Sequence, residues 1–215
     1  MQQLNDTAFI GISIFKPRFM DKKSLVNYLS FIRKEWPRLT IVIADKPEIF
    51  NLQTMENIKY NQAMHIITKR GVDIKKNIQE KFNDVNIVLW QDIEFKLESY
   101  VTILNSHIES CAEFKYLLFG TVAENLRPRY GDIEMRKLYN LSKYLIQELA
   151  QTIYFNIDLG IKNEIYPGKI GEVKKYVAEL MDLTYSYYDV RNRSITKLYT
   201  RTSKQSLVPN NANDC

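Results

Sequence analysis

Three short stretches of this 215-residue chain carry side chains whose types and spacing could do chemistry. The first is GISIFKPRF, Gly11 to Phe19, in which an apolar run ends in Ser13 and is followed by Lys16, Pro17 and Arg18. A simple turn there would ordinarily use Gly, Asn or Asp, so Ser13 is a candidate nucleophile. A serine hydroxyl reacts when a base takes its proton or when the acyl donor arrives activated. The only histidines, His65 and His107, fall far from Ser13 in helix-like stretches, so a Ser-His-Asp triad lacks its parts. That leaves an activated donor, such as an aminoacyl ester, as the partner Ser13 could attack.

The second stretch is YLIQE, where Tyr144 and Glu148 stand at i, i+4 in a helical pattern. This spacing puts phenol and carboxylate on one helix face, a turn apart, where both could reach one ammonium group. The third is EIYPGK, where Tyr166 immediately precedes Pro167. Proline biases the residue before it toward extended backbone, so Tyr166 is expected at the end of a short strand. Taken singly, each stretch has a plainer reading. Ser13 would cap a turn, Tyr144 would fill the core, Glu148 would be solvated, and Tyr166 would pack.

The elements that must position these residues alternate in type. Strand-like runs at Thr7 to Ile14, LTIVIAD and VNIVLW are separated by segments of helical period at Lys22 to Trp36 and at about Thr54 to Phe82, with Gly71 as a possible kink. Helical stretches at Asp92 to Leu118 and Asp132 to Tyr154 precede a short run at Glu164 to Tyr166. A helix from Gly168 to Met181 and a tyrosine-rich strand at Thr184 to Val190 complete the pattern. This βαβα rhythm predicts an α/β fold, a parallel sheet flanked by helices, as a single domain over residues 1–200. The tail from 201 to 215 lacks apolar periodicity and reads as disordered.

Other classes of site are not supported. No G-x-G-x-x-G or P-loop glycines follow the first strand, and the second residue after Ser13 is Phe15, so the nucleophile elbow G-x-S-x-G is missing too. Cys111 and Cys215 are far apart and form no Cys-x-x-Cys pair; no metal site and no disulfide framework are expected, and a reducing cytoplasm is the expected compartment. No run approaches a membrane span, and the N-terminal stretch lacks the pattern of a leader. The net charge of +5 is compatible with a polyanionic partner without requiring one.

Together, a serine ending the first strand in G-I-S, a late Tyr-x-x-x-Glu helix and a following Tyr-Pro resemble the cyclodipeptide synthases, over about Phe9 to Val190. The resemblance implies a Rossmann-like domain related to the catalytic domain of class I aminoacyl-tRNA synthetases. It also implies an enzyme that joins the amino acids of two aminoacyl-tRNAs into a cyclic dipeptide, with no ATP, metal or other cofactor. On this resemblance Ser13 is the nucleophile that accepts the first aminoacyl group. Tyr144 and Glu148 hold its amino group, and Tyr166 takes part in later proton transfers. Gly11 and Val42 align with positions lining the first aminoacyl pocket. Lys16 and Pro167 match the branch whose tyrosine is followed by proline, whereas the other branch has Asn and Gln at these places.

Lys69, Arg70, Lys75 and Lys76 form a basic cluster on the long second helix, with Lys59 and Lys81 further out. Such a cluster can neutralise RNA phosphates without reading sequence, and the resemblance assigns it to tRNA; a solvated helix face is the plainer alternative. Two other functions fit the same residues: a non-catalytic RNA-binding Rossmann domain, and an acyltransferase that uses a different activated donor.

Overall fold

A computed structural model of the protein describes residues 6–167 and 171–204. Six strands form one sheet among these residues, in the order β3-β2-β1-β4-β5-β6. They are β1 (Thr7–Ser13), β2 (Arg38–Ala44), β3 (Asn86–Leu89), β4 (Asn163–Tyr166), β5 (Tyr185–Arg191) and β6 (Ser194–Arg201). The first five run parallel, and β6 returns antiparallel to β5. The sheet grows from β1 toward β3 in one direction and from β4 toward β6 in the other. Its order therefore reverses between β1 and β4, where open α/β sheets bind ligands at the carboxyl ends of their strands.

Period-two alternation divides the strand side chains between two cores. Ala8, Ile10, Ile12, Ile41, Ile43 and Ile165 face one side. There they meet Phe19 of the single-turn helix α1 (Pro17–Met20), Leu25, Leu29 and Ile32 of α2 (Lys22–Ile32), and Ala63, Ile67, Ile74 and Ile78 of α4 (Tyr60–Gln79). Phe9, Val42, Ala44, Tyr185 and Tyr187 face the other side. That side is covered by α5 (Glu94–Ser110), α6 (Ala112–Tyr130), α7 (Met135–Ile157) and α8 (Glu172–Leu180). Asp21 caps α2, its carboxylate accepting from the Ser24 N–H at 2.7 Å, and so satisfies one of the orphan donors of the first turn.

The structure departs from the periodicity reading in four places. The segment from Thr54 to Phe82 is not one helix: a short helix α3 (Ile49–Met55) ends before α4 begins, and Asn57 between them has φ 54°. Gly71 does not kink α4. It is buried where α4 crosses the end of β2, and an added Cβ would lie 2.6 Å from Asp45 Oδ2. The stretch from Asp92 to Leu118 breaks at Cys111, whose extended backbone separates α5 from α6. Strand β6 has no counterpart in the sequence pattern. It is an edge strand with little apolar content, joined to β5 through Asn192 and Arg193, both at positive φ, as the tightest hairpin turns require. The expected start of the helix at Gly168 lies outside the described residues, as do residues 205–215 of the tail expected from 201. The first residues of that tail are ordered, Arg201 ending β6 and the Ser203 and Lys204 N–H groups donating to Thr184 Oγ1 at 3.2 Å and Asp182 Oδ1 at 3.1 Å.

Candidate active site

Strand alternation sends Gly11 and Ser13 of β1, and Glu164 and Tyr166 of β4, to the face covered by α7. These residues line a cavity of about 930 Å³ at the carboxyl ends of the strands. Gly11 opens the space, since a Cβ built there would meet nothing within 4 Å. Helix α7 closes it, presenting Tyr144 and Glu148 at i, i+4 positions.

Four of the predicted side chains meet here. Ser13, Tyr144, Glu148 and Tyr166 all line the cavity, with Pro167 at its edge. The Tyr144 phenol interacts with both the Ser13 hydroxyl and the Glu148 carboxylate. Burial raises the pKa of Tyr144 far above the usual phenol value, with the Glu148 charge acting in the same direction, so it is a neutral hydrogen-bonding group. Tyr166 is raised in the same way, by burial first and then by Glu148. Burial also raises Glu148, against the nearby Lys174 charge, which favours the carboxylate.

Lys16, whose role the sequence leaves open, bridges the two central strands. Its Nζ donates to the Pro167 carbonyl at 3.1 Å and sits 4.1 Å from the centroid of the Tyr166 ring, within the range of a cation–π contact. Val42 is placed differently from Gly11. It pairs with Gly11 in register but is fully buried in the core, and it does not line the cavity.

Sequence reasoning missed several residues of this site. The foremost is Glu48, which follows β2 in a single 3₁₀ turn (Lys46–Glu48). It accepts a hydrogen bond from Ser13 Oγ at 3.2 Å, and its other oxygen accepts from Asn51 Nδ2 at 2.8 Å. The signal that locates it is the register between β1 and β2, which local sequence does not encode. Parallel register sets Ser13 opposite Ala44, so the residues just beyond Ala44 must turn beside the serine. Glu164 reads from sequence as a strand residue, not as a charge in a cavity. It forms an ion pair with Lys174 of α8 and accepts from Tyr185 OH at 2.6 Å and Thr152 Oγ1 at 3.1 Å. Burial works against the Lys174 charge, but Glu164 and Glu148 hold its pKa above the ordinary lysine value.

The basic cluster on α4 is only partly a surface feature. Lys69 and Lys76 are exposed, and Lys75 is half-buried. Arg70 turns toward Phe15 at the cavity wall, its guanidinium 4.2 Å from the ring centroid, and its buried Nη1 has no hydrogen-bond partner among the described residues.

No family model and no curated protein matches the sequence. Solved structures do match. A cyclodipeptide synthase from Fluoribacter dumoffii superposes with a TM-score of 0.69 at 15% identity, over 80% of this chain and 81% of that one. The cyclodipeptide synthase from Candidatus Glomeribacter gigasporarum, solved bound to Phe-tRNAPhe, matches with a TM-score of 0.61 at 18% identity, over 93% of each chain. The Mycobacterium tuberculosis protein Rv2275 matches with a TM-score of 0.61 at 14% identity, over 74% of this chain and 71% of that one. Its structure is described as demonstrating that cyclodipeptide synthetases are related to type I tRNA synthetases. The mostly parallel sheet, its reversal between β1 and β4 and the helices on both faces are thus the Rossmann-like fold of the cyclodipeptide synthases.

Proposed function

We propose that the protein is a tRNA-dependent cyclodipeptide synthase that works through an aminoacyl ester on Ser13. The observation that carries this reading is the convergence of Ser13, Tyr144, Glu148 and Tyr166 on one cavity at the strand ends, together with the shared fold. A first aminoacyl-tRNA places its ester carbonyl at Ser13, and the hydroxyl displaces the tRNA. Glu148 and Tyr144 grip the ammonium of the retained amino acid. The amine of the Ser13-bound amino acid, once deprotonated, then attacks the ester carbonyl of a second aminoacyl-tRNA. The bond to that tRNA's ribose oxygen breaks, the tRNA leaves with the proton on that oxygen, and a dipeptidyl ester remains on Ser13. The free amine of that ester closes the ring and releases Ser13, a step favoured by its intramolecular geometry. Both acyl groups arrive activated as esters, so the sequence of steps needs no further energy source.

Two aminoacyl-tRNAs are consumed for each product. The exposed lysines of α4, with Arg70 beside Phe15, provide cationic surface for the acceptor stem. Val42 packs in the core beside Gly11, and residues 1–200 act as one catalytic domain.

Expression in a bacterial host, with mass spectrometry of the medium, tests the function. Diketopiperazines are expected with the wild type and are expected to vanish with Ser13→Ala. In a purified system product formation should stop on ribonuclease treatment. Product that survives ribonuclease would point to a different acyl donor.

A further inference from the structure

We infer that Glu48 is the catalytic base that takes the proton of Ser13 during acylation. The inference rests on the acyl transfer proposed above, and names a residue that neither the sequence motifs nor the fold comparison assigns.

Three observations carry it. The Ser13 hydroxyl donates to Glu48 Oε1 at 3.2 Å, within the distance a base needs to abstract that proton. The carboxylate is fixed, because its second oxygen accepts from Asn51 Nδ2 at 2.8 Å. It is also shielded, at 4% exposed, while still lining the cavity that holds the serine. Glu164, which also lines the cavity, is ion-paired with Lys174, whereas Glu148 interacts with Tyr144 and faces the amino-group end of the site. Glu48 and Glu148 thus divide the work, one serving the nucleophile and one the ammonium.

In this step Ser13 Oγ forms a bond to the ester carbonyl carbon while its proton passes to Glu48 Oε1. As the tetrahedral intermediate collapses, the bond to the ribose oxygen breaks and Glu48 returns the proton to that oxygen. A serine ester and a neutral ribose hydroxyl result, with Glu48 again ionised. Burial raises the Glu48 pKa, opposed by the hydrogen bonds from Asn51 and Ser13 and by the Arg129 charge. In its ionised form the group is therefore a stronger base than a solvated glutamate.

The test is single-turnover acylation, using total bacterial tRNA charged with radiolabelled amino acids. Rapid quenching gives the rate of label transfer to protein, and filter binding gives the affinity for the charged tRNA. Glu48→Gln keeps the size and an acceptor oxygen but cannot take the proton. It is expected to slow acylation by about 100-fold, the lower end of general-base effects, with tRNA affinity within about threefold of wild type. A slowing of less than about tenfold in a variant that binds tRNA normally would overturn the inference. Should Glu48→Gln not fold, Glu48→Asp keeps the charge and draws the carboxylate back by one methylene. It too is expected to slow acylation by more than about tenfold, and an unchanged rate would overturn the assignment. Wild type that is never labelled overturns the proposed function along with the base, whereas labelled wild type with an equally fast Glu48→Gln overturns the base alone.

Discussion

Lys16 shows how a single side chain can be legible in type and illegible in role. Its position three residues after Ser13 is conspicuous, yet its partner lies 151 residues away at the Pro167 carbonyl, which no local pattern encodes. Burial, then the Arg18 charge, pull its pKa down to about 8, while Glu148 and Asp189 oppose them. The unfolded chain titrates this lysine at its ordinary value, 10.5. Between these values the unfolded state binds more protons than the folded one, so stability contributed at this site rises with pH. Wild type is therefore expected to gain stability relative to Lys16→Met as pH climbs from about 8 to 10.5, read from urea denaturation at each pH. A constant difference across that window would mean that Lys16 keeps an ordinary ammonium. Ser13, Tyr144, Glu148 and Tyr166 were legible because strand ends, an i, i+4 pair and a Tyr-Pro step are local features. Glu48 and Glu164 were not, because their significance depends on register between strands.

Among the elements, helix α4 carries the most instructive error. A glycine inside a helical pattern suggests a weak point, since Gly costs about 1 kcal/mol relative to Ala in a helix interior. Here the glycine admits Asp45 against the helix, and the carboxylate accepts from the Trp90 N–H at 3.3 Å. The clash outweighs the propensity. Gly71→Ala is expected to destabilise the protein by roughly 1–3 kcal/mol, the usual range for overpacking. Gly120→Ala on α6, where an added Cβ meets nothing within 4 Å, is expected to stabilise by about 0.5–1 kcal/mol. Denaturant midpoints of the two variants decide the matter, and a stabilised Gly71→Ala would show that Asp45 moves aside freely. Strands β1 and β2 were legible because their apolar runs are buried on both faces. Strand β6 was hidden because an edge strand with an exposed, mixed face carries no such signature.

For the whole molecule, the α/β rhythm set the class, while strand order came from the coordinates. That order brings the carboxyl ends of β1 and β4 side by side and so converts three separate sequence stretches into one cavity. Among the described residues, no helix is long and apolar enough to cross a membrane. If the lysines of α4 bind tRNA, charge reversal of Lys75 and Lys76 should weaken binding and flatten its salt dependence by about one unit of log–log slope for each phosphate no longer neutralised. Filter binding over a salt series measures this; an unchanged slope would move the RNA surface elsewhere. The proposed reaction requires an amino acid to be held covalently at the end of β1 between two tRNA encounters. Intact-protein mass spectrometry after brief incubation with charged tRNA is the most direct test. An added aminoacyl mass that maps to Ser13 and is missing from Ser13→Ala is expected. The same added mass on Ser13→Ala, or none on a wild type that forms product, would contradict it.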